Sequence, residues 1–175
     1  MSNPAKVPFA TTSMVRDTCL CLYLQRAARA VGRRFDAALR PLGLTNGQFS
    51  LLMSFNRPEP ASMGQISVLL AMDRTTLTAN LKPLERRGLV EMTVGVADKR
   101  SRRLRLTPAG GVLLGAAVPV WAETHAAIER HLAGTDADEL RRDLRALSVQ
   151  EAGAASGNMR PSRRRSAPPQ DDVRF

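Results

Sequence analysis

Three helix-start signals follow one another in the middle of the chain, and their spacing restricts the fold more than any other feature. Thr45 is followed three residues later by Gln48, and Ser62 stands in the same relation to Gln65. Each pair fits a capping box, in which both side chains satisfy backbone N–H groups at the start of a helix. Asp73 fits a third N-cap soon after the second helix. The sequence therefore predicts two short helices joined by a tight turn, with a further helix before them.

The segments on either side complete the predicted architecture. Apolar residues recur at intervals of three and four through residues 13–40, which predicts a long helix that ends at Pro41. Two short strands are predicted at Leu89–Val94 and Arg102–Leu106, and Thr107 followed by proline starts another long helix. A last helix is predicted in TDADELRRDLRAL. The expected fold class is mainly α with a small β-hairpin, in the order of a winged helix-turn-helix.

The predicted elements form a single domain over residues 13–150. Its winged helix-turn-helix lobe spans about 45–106. The apolar and small faces of helices 13–40 and 107–150 exceed what one lobe can cover, so these helices are predicted to form a dimerisation region. Residues 1–12 and 153–175 are expected to be flexible tails, the second because it is rich in Pro, Ser and Arg.

Targeting signals and disulfides are not expected. The first residues lack the apolar core of a signal peptide, and no apolar run reaches the length of a membrane span. Cys19 and Cys21 lie two apart in a predicted helix, where their side chains diverge by about 200° and do not pair. The sequence therefore predicts a cytoplasmic protein with no membrane partner.

The positive charge is concentrated in one part of the chain. The formal net charge is +10, and residues 73–105 carry nine Lys or Arg against four acids. Residues 107–150 carry four bases against six acids. A local positive field of this size favours a binding face for a polyanion, nucleic acid above all, over a generally basic surface.

The helix predicted after Asp73 has the side chains of a recognition helix. On a helical wheel Leu77, Leu81 and Leu84 form a narrow apolar stripe, and the opposite face carries threonines near the N-terminus and cations near the C-terminus. An ordinary solvated face would mix glutamate with lysine. Short side chains let a helix enter the major groove, where threonine contacts base edges. The predicted DNA contacts are Arg74, Thr75, Thr76, Thr78, Lys82 and Arg86.

The hairpin tip ADKRSRR supplies a second predicted DNA contact. Asp98 lies among the arginines, and a carboxylate there can orient a guanidinium toward a groove. Arg100 and Arg103 are therefore predicted to contact the minor groove and phosphates together with Asp98. The alternative is a solvated turn.

At this point the sequence resembles the MarR family of bacterial transcription regulators. The resemblance covers residues 13–150 and is carried by LGLTNGQFSLL (42–52), MDRTTLTANLKPLERRGLV (72–90) and DKRSRRLRLTPAG (98–110). It implies a homodimer that binds double-stranded DNA at a pseudo-palindromic operator and represses until a small molecule or an oxidant releases it. It implies no catalytic activity and no cofactor.

The effector is the least determined part of this prediction. The sequence is somewhat similar to the peroxide-sensing OhrR branch, because Cys19 occupies the place of its reactive cysteine. The matching positions for its tyrosine donors hold Phe35, Asn46 and Phe49, so the favoured effector is a small organic molecule. Its predicted pocket residues are Tyr23, Arg26, Phe55 and Trp121.

Three alternatives stay open at this stage. One is an oxidant-sensing repressor that acts through Cys19, and another is an architectural DNA-binding protein without an effector. A thiol enzyme is disfavoured, because no histidine or acid constellation accompanies the two cysteines. His125 and His131 lie about 240° apart on one predicted helix, so no metal site is expected.

Overall fold

The computed structural model describes residues 6–94, 102–132 and 134–148. Helices α1 to α7 and strands β1 to β3 follow in this order: α1 (Phe9–Thr18), α2 (Leu20–Leu39), a 3-10 turn (Arg40–Leu42), α3 (Asn46–Phe55), β1 (Ala61–Ser62), α4 (Met63–Leu70), α5 (Arg74–Arg86), β2 (Val90–Val94), β3 (Arg102–Leu106), α6 (Pro108–Glu129) and α7 (Ala137–Ser148). The predicted fold class, mainly α with a small β-hairpin, is confirmed.

The three predicted helix starts are confirmed by their hydrogen bonds. The Thr45 hydroxyl accepts from the backbone N–H of Gln48 at 3.2 Å, and the Gln48 side chain accepts from the N–H of Thr45 at 3.1 Å. Ser62 and Gln65 form the same reciprocal pair at the start of α4. The Asp73 carboxylate accepts from a backbone N–H in the first turn of α5. These bonds satisfy donors that would otherwise be unpaired.

The sheet contains one strand that the sequence pattern did not reveal. The strands are antiparallel in the order β1-β3-β2, with Met92 and Ala61 both opposite Leu104. The prediction of a two-stranded hairpin was therefore incomplete. Two-residue β1 is too short to show alternation and follows Pro60, so it looks like part of a turn. It ties the start of α4 to the hairpin.

The core lies within the helix-turn-helix and the sheet. It is formed by the inner faces of α3, α4 and α5, the strands, the C-terminal end of α2 and the N-terminal half of α6. The largest fully buried side chains are Phe55, Leu39, Leu51, Leu52, Ile66, Leu77, Leu84 and Leu104. The turn between α4 and α5 places Ala71 at φ 48°, and the Ser67 hydroxyl donates to the Met72 carbonyl at 2.6 Å to hold it.

The predicted helix over residues 13–40 is two helices. Helix α1 already begins at Phe9, within the predicted flexible tail, and the backbone at Cys19 is extended (ψ 101°) before α2 begins. The Thr18 hydroxyl donates to the carbonyl of Met14 at 2.8 Å, a back-bond of the kind that bends helices. The predicted wheel angle between Cys19 and Cys21 therefore does not apply, because Cys19 is not helical.

Helix α6 packs against the lobe through small residues as well as through leucine. Gly110, Leu114 and Ala117 are buried, whereas Val112 is 77% exposed. A Cβ at Gly110 would lie 2.0 Å from the Leu89 carbonyl oxygen, so this glycine sets the closest approach of α6 to the lobe.

One helix of the described part of the chain has the length and composition of a membrane span. It is α6, with a mean hydropathy of 1.3 over its most apolar window, of which 11% is buried. The prediction that no segment meets this criterion was wrong. Small residues and valines raise the hydropathy without a continuous run of bulky side chains.

Helix α7 belongs to a second compact unit, which begins at Leu132. Asp138 and Glu139 lie in its first turn and Arg145 in its last, so its charges complement the helix dipole. Arg141 forms an ion pair with Asp138. The predicted tail 153–175 lies outside the described residues.

Candidate nucleic-acid interface

Helix α5 presents its polar face outward because three leucines fix the other face in the core. Leu77 and Leu84 are fully buried, and Leu81 is nearly so. Arg74, Thr75, Thr76, Lys82 and Arg86 are exposed, and Thr78 is half-buried. The helix continues through Pro83. The orientation predicted from the wheel is confirmed.

The predicted residues of α5 surround a shallow depression along the helix. It is lined by Arg74, Thr75, Thr78, Ala79 and Lys82. A neighbouring depression begins at Ala79 and extends to Arg86. Ala79 is exposed and lines both depressions. The structure thus brings together five of the six predicted α5 residues along adjoining concavities, with Ala79 as an added member.

The three threonines differ in how their hydroxyl groups are used. The Thr76 hydroxyl donates to Asp73 at 2.6 Å, and the Thr78 hydroxyl donates to the Arg74 carbonyl at 2.7 Å. No hydrogen bond of the Thr75 hydroxyl occurs among the described residues, so Thr75 has its donor available for a base edge. A helical wheel cannot show which hydroxyls are hydrogen-bonded, because the bonding depends on the side-chain rotamers.

The N-cap of α5 is an electrostatic feature as well as a structural one. The hydroxyl of Thr76, followed by its backbone N–H at 2.8 Å, lowers the pKa of the Asp73 carboxyl below its ordinary value. Asp73 is therefore charged at neutral pH. It neutralises part of the positive end of the helix.

Two adjacent arginines at the end of α5 have different roles. Arg87 donates to the carbonyl of Gly43 at 2.6 Å and to the carbonyl of Leu42 at 3.4 Å, so it closes the turn after α2. Arg86 is exposed and lies beside Lys82 in the second depression. The charge of residues 73–105 is thus partly structural, which the count of bases did not indicate.

The wing is described only at its base. Asp98 and Arg100 lie outside the described residues. Arg103 was predicted at the hairpin tip, but it lies in β3, where it donates to the Pro60 carbonyl at 3.4 Å. The strand has its predicted bounds, Arg102–Leu106, so Arg103 belongs to the strand and not to the tip. Arg105 pairs across the hairpin with Glu91.

The four residues predicted for an effector pocket do not line one cavity in the single chain. Tyr23 and Arg26 lie along an open face of α2. Phe55 is 1% exposed and borders a separate depression next to the wing. Trp121 stacks between Phe49 and His125, with ring centroids 6.4 and 4.8 Å away. None of the depressions described here is lined by all four residues, so the common pocket stays a prediction.

The cysteines and histidines show no shared site. Both cysteines are free thiols, Cys19 half-buried at the break between α1 and α2 and Cys21 exposed. His125 lies 3.1 Å from a carboxylate oxygen of Glu129 on the next turn of α6. Over the described ranges, no three metal-ligating side chains come together.

A helix-turn-helix with an outward-facing basic recognition helix and an adjoining β-hairpin is the lobe of a DNA-binding transcriptional regulator. The sequence profile of the MarR family matches residues 42–101. The chain belongs to the MarR family, and it is a transcriptional regulator with the DNA-binding fold of that family.

Three similar proteins place the chain within this family. The Mycobacterium tuberculosis transcriptional regulator MosR, solved in complex with DNA, is 39% identical, with a TM-score of 0.65 over 74% of this chain and 93% of MosR. The organic hydroperoxide resistance transcriptional regulator of Bacillus subtilis is 29% identical over 58% of this chain and 69% of its own length. The HTH-type transcriptional regulator BilQ of Clostridioides difficile is 27% identical over 62% and 74% respectively.

Proposed function

We propose that the protein is a homodimeric repressor that reads a pseudo-palindromic operator with α5 and is released by a small organic effector. The observation that carries the proposal is the outer face of α5, where exposed cations, Ala79 and the Thr75 hydroxyl, which has no hydrogen bond among the described residues, line a depression. Cations attract phosphates, and short side chains allow contact with base edges.

The exposed apolar side chains outside the lobe support the homodimer. Phe9 and Val112 are each 77% exposed, and Leu20 and Tyr23 are at least half exposed. Large apolar side chains exposed in this number support an interaction site on these helices. A second copy of the chain supplies a matching surface, because a two-fold interface uses the same patch on both subunits. In this proposal the lobe at 45–106 binds DNA, and helices 13–40 and 107–150 pair.

Pairing determines how an effector would act. Two lobes must place their recognition helices one DNA turn apart, so a change in the dimer geometry disrupts binding. An effector that prefers the altered geometry shifts the population away from the DNA-bound form. An architectural DNA-binding protein would instead show no defined footprint and no release.

The test of base reading compares neighbouring threonines. We expect Thr75→Ala to lose about 1–3 kcal/mol of specific binding at one base position in each half-site, with little effect on random DNA. Thr76→Ala removes a hydroxyl that is already bound to Asp73. It should therefore lower the stability of the helix and leave the preference for specific over random DNA almost unchanged. Binding of specific and random duplexes by fluorescence anisotropy separates the two. Equal weakening on both duplexes by Thr75→Ala would show a backbone contact only.

Oxidation is the second candidate for the releasing signal. It is favoured by one observation: Cys19 lies at a non-helical junction between two helices, where a change at sulfur can alter their angle. The likeness to the Bacillus subtilis organic hydroperoxide regulator points the same way. Wild type, Cys19→Ser and Cys21→Ser are treated with cumene hydroperoxide and assayed for DNA binding. Release of wild type but not of Cys19→Ser would support this candidate and remove the need for an organic ligand.

A further inference from the structure

The α2–α3 turn (residues 43–47) joins a helix outside the lobe to the first helix of the lobe. The N–H of Gly43 donates to the Arg40 carbonyl at 2.9 Å, and the N–H of Leu44 donates to the Leu39 carbonyl at 3.3 Å. Leu44 is also buried in the core. The turn is therefore a compact connection, and its position can be passed on to the helices that contact it.

Asp36 ties this turn to α2. It lies near the end of α2, and its carboxylate accepts from the backbone N–H of Asn46 at 2.7 Å. Asn46 is the first residue of α3, so its N–H has no partner within that helix. Both residues are half-buried, and an N–H that loses its acceptor there costs free energy. Asp36 therefore fixes the start of α3 relative to α2.

Asn80 ties the same turn to the recognition helix. Its side-chain amide donates to the Thr76 carbonyl one turn earlier on α5, at 3.0 Å. A Cβ on Gly47 would lie 2.9 Å from Oδ1 of Asn80, so α3 approaches α5 closely at this point. Arg87, at the end of α5, donates to the Gly43 carbonyl at 2.6 Å. Two contacts about two helical turns apart fix the direction of α5 and not only one point on it.

We propose that Asp36 and Asn80 are positioning residues, which hold α5 in a fixed direction relative to α2 and so set operator affinity and half-site spacing without contacting DNA. The inference rests on the proposed function, in which α2 pairs and α5 reads DNA. In a two-fold dimer the same link acts in both protomers, so a change in its angle moves both recognition helices. Half-sites one DNA turn apart tolerate little change of this kind.

The first test changes Asp36 in the full chain. Asp36→Ala leaves the Asn46 N–H without its acceptor, whereas Asp36→Asn keeps a carbonyl oxygen at that place. The probes are a duplex selected from random sequence by the wild-type protein and the same duplex with one base pair added between its half-sites. By fluorescence anisotropy, we expect Asp36→Ala to bind the selected duplex at least tenfold more weakly. Its preference over the lengthened duplex should fall at least threefold, and Asp36→Asn should recover most of both losses.

The preference for spacing separates positioning from stability. A variant that only lowers the folded fraction weakens binding to both duplexes by the same factor, so the ratio of the two affinities does not change. A second readout needs no DNA. We expect the backbone amide NMR signals of Thr75, Thr76 and Thr78 on α5 to shift in Asp36→Ala and to stay near their wild-type positions in Asp36→Asn.

A double-mutant cycle tests the contact between α3 and α5. The three atoms nearest to a Cβ on Gly47 all belong to the side-chain amide of Asn80, so Gly47→Ala displaces that amide. We expect Gly47→Ala to weaken binding to the selected duplex at least fivefold in the wild-type background and less than twofold in Asn80→Ala. Gly64→Ala on α4 is the matched control, because nothing lies within 4 Å of its Cβ position, and it should keep the wild-type affinity.

The outcomes that count against the proposal are distinct from failure of the proposed function. If Asp36→Ala keeps the spacing preference of wild type, or leaves the amide signals of α5 unshifted, Asp36 does not position α5. Additive effects of Gly47→Ala and Asn80→Ala would overturn the role of Asn80. If the wild-type protein selects no duplex with two half-sites, the proposed function fails, and the NMR comparison still decides whether Asp36 positions α5.

Discussion

The winged helix-turn-helix lobe and the helices outside it differ in how much of their apolar surface the single chain covers. Helices α3, α4 and α5 and the sheet enclose a core with Leu51, Leu52, Ile66 and Leu77 at zero exposure. Helix α1 has no buried residue. Between these extremes, α2 is buried only at Phe35 and Leu39, near the lobe. The lobe has a closed core within one chain, whereas α1 and most of α2 leave their apolar side chains exposed.

The junction between the two regions gives the largest expected effect. Gly110→Ala places a Cβ 2.0 Å from the Leu89 carbonyl oxygen and 3.2 Å from Cδ2 of Leu106. The carbonyl belongs to the backbone and accepts from the Thr107 N–H, so it cannot move without breaking the link to α6. We expect a loss of about 3 kcal/mol of unfolding free energy, at the upper end of overpacking costs. Urea denaturation measures it.

Gly111→Ala is the matched control. Nothing lies within 4 Å of its Cβ position, and alanine is favoured over glycine inside a helix by up to about 1 kcal/mol. A neutral or stabilising result for Gly111→Ala beside a large loss for Gly110→Ala confirms the close approach. Similar effects of the two substitutions would contradict it.

The difference between the lobe and the helices outside it is tested next by replacing one exposed apolar residue in each region with glutamate. Phe9→Glu on α1 should weaken dimerisation at least tenfold (about 1.4 kcal/mol) while leaving the lobe folded, because a charge buried at a subunit interface costs free energy. Val68→Glu on α4 changes a side chain that is 84% exposed on the lobe and should leave the dimer intact. Sedimentation equilibrium gives both constants. A dimer indifferent to Phe9→Glu would place the interface elsewhere.

Within the lobe, we expect substitution of Arg86 to affect DNA binding and substitution of Arg87 to affect stability. Arg87→Ala removes the donors of the Gly43 and Leu42 carbonyls and should lower the unfolding free energy by about 1 kcal/mol. Arg86→Ala should leave stability unchanged and reduce the salt slope of DNA binding by about one per protomer. Thermal melts and anisotropy at several salt concentrations provide the readouts. If Arg86→Ala destabilises the fold as much as Arg87→Ala does, the assigned difference is wrong.

The lobe was more predictable from sequence than the outer helices for the same physical reason. Its helix starts use local side-chain caps such as Thr45 and Ser62, and local signals can be read from spacing. The break at Cys19 has no proline or glycine to announce it, and the buried face of α6 is set by Gly110, whose role comes from a contact with Leu89. Contacts between distant residues leave no periodic pattern.

The candidate site was predicted in part. The wheel gave the outward face of α5 correctly, because three leucines determine it. It could not show that the Thr76 and Thr78 hydroxyls are already bonded or that Arg87 serves the turn after α2. Those facts depend on rotamers and on the tertiary position of Gly43. The contacts assigned to Arg74, Thr75 and Lys82 on DNA remain predictions.

The smallest expected effect is the contribution of the Asp73 charge to stability, measured as a function of pH. Asp73 lies in the lobe, and Asp17 on α1 is the second carboxyl whose pKa is lowered. The pKa of Asp73 is lowered by the Thr76 hydroxyl and then by backbone N–H groups, and the pKa of Asp17 on α1 is lowered by Arg16. A carboxyl with a lowered folded-state pKa stabilises the protein fully above its unfolded value, near pH 4. This contribution is lost as the pH falls through the lower folded value.

Asp73→Asn keeps a capping oxygen but does not titrate. We therefore expect the melting temperatures of wild type and Asp73→Asn to converge as the pH falls from 5 to 3, whereas Asp17 contributes equally to both proteins. A constant difference across this range would show that the Asp73 charge adds nothing to the cap.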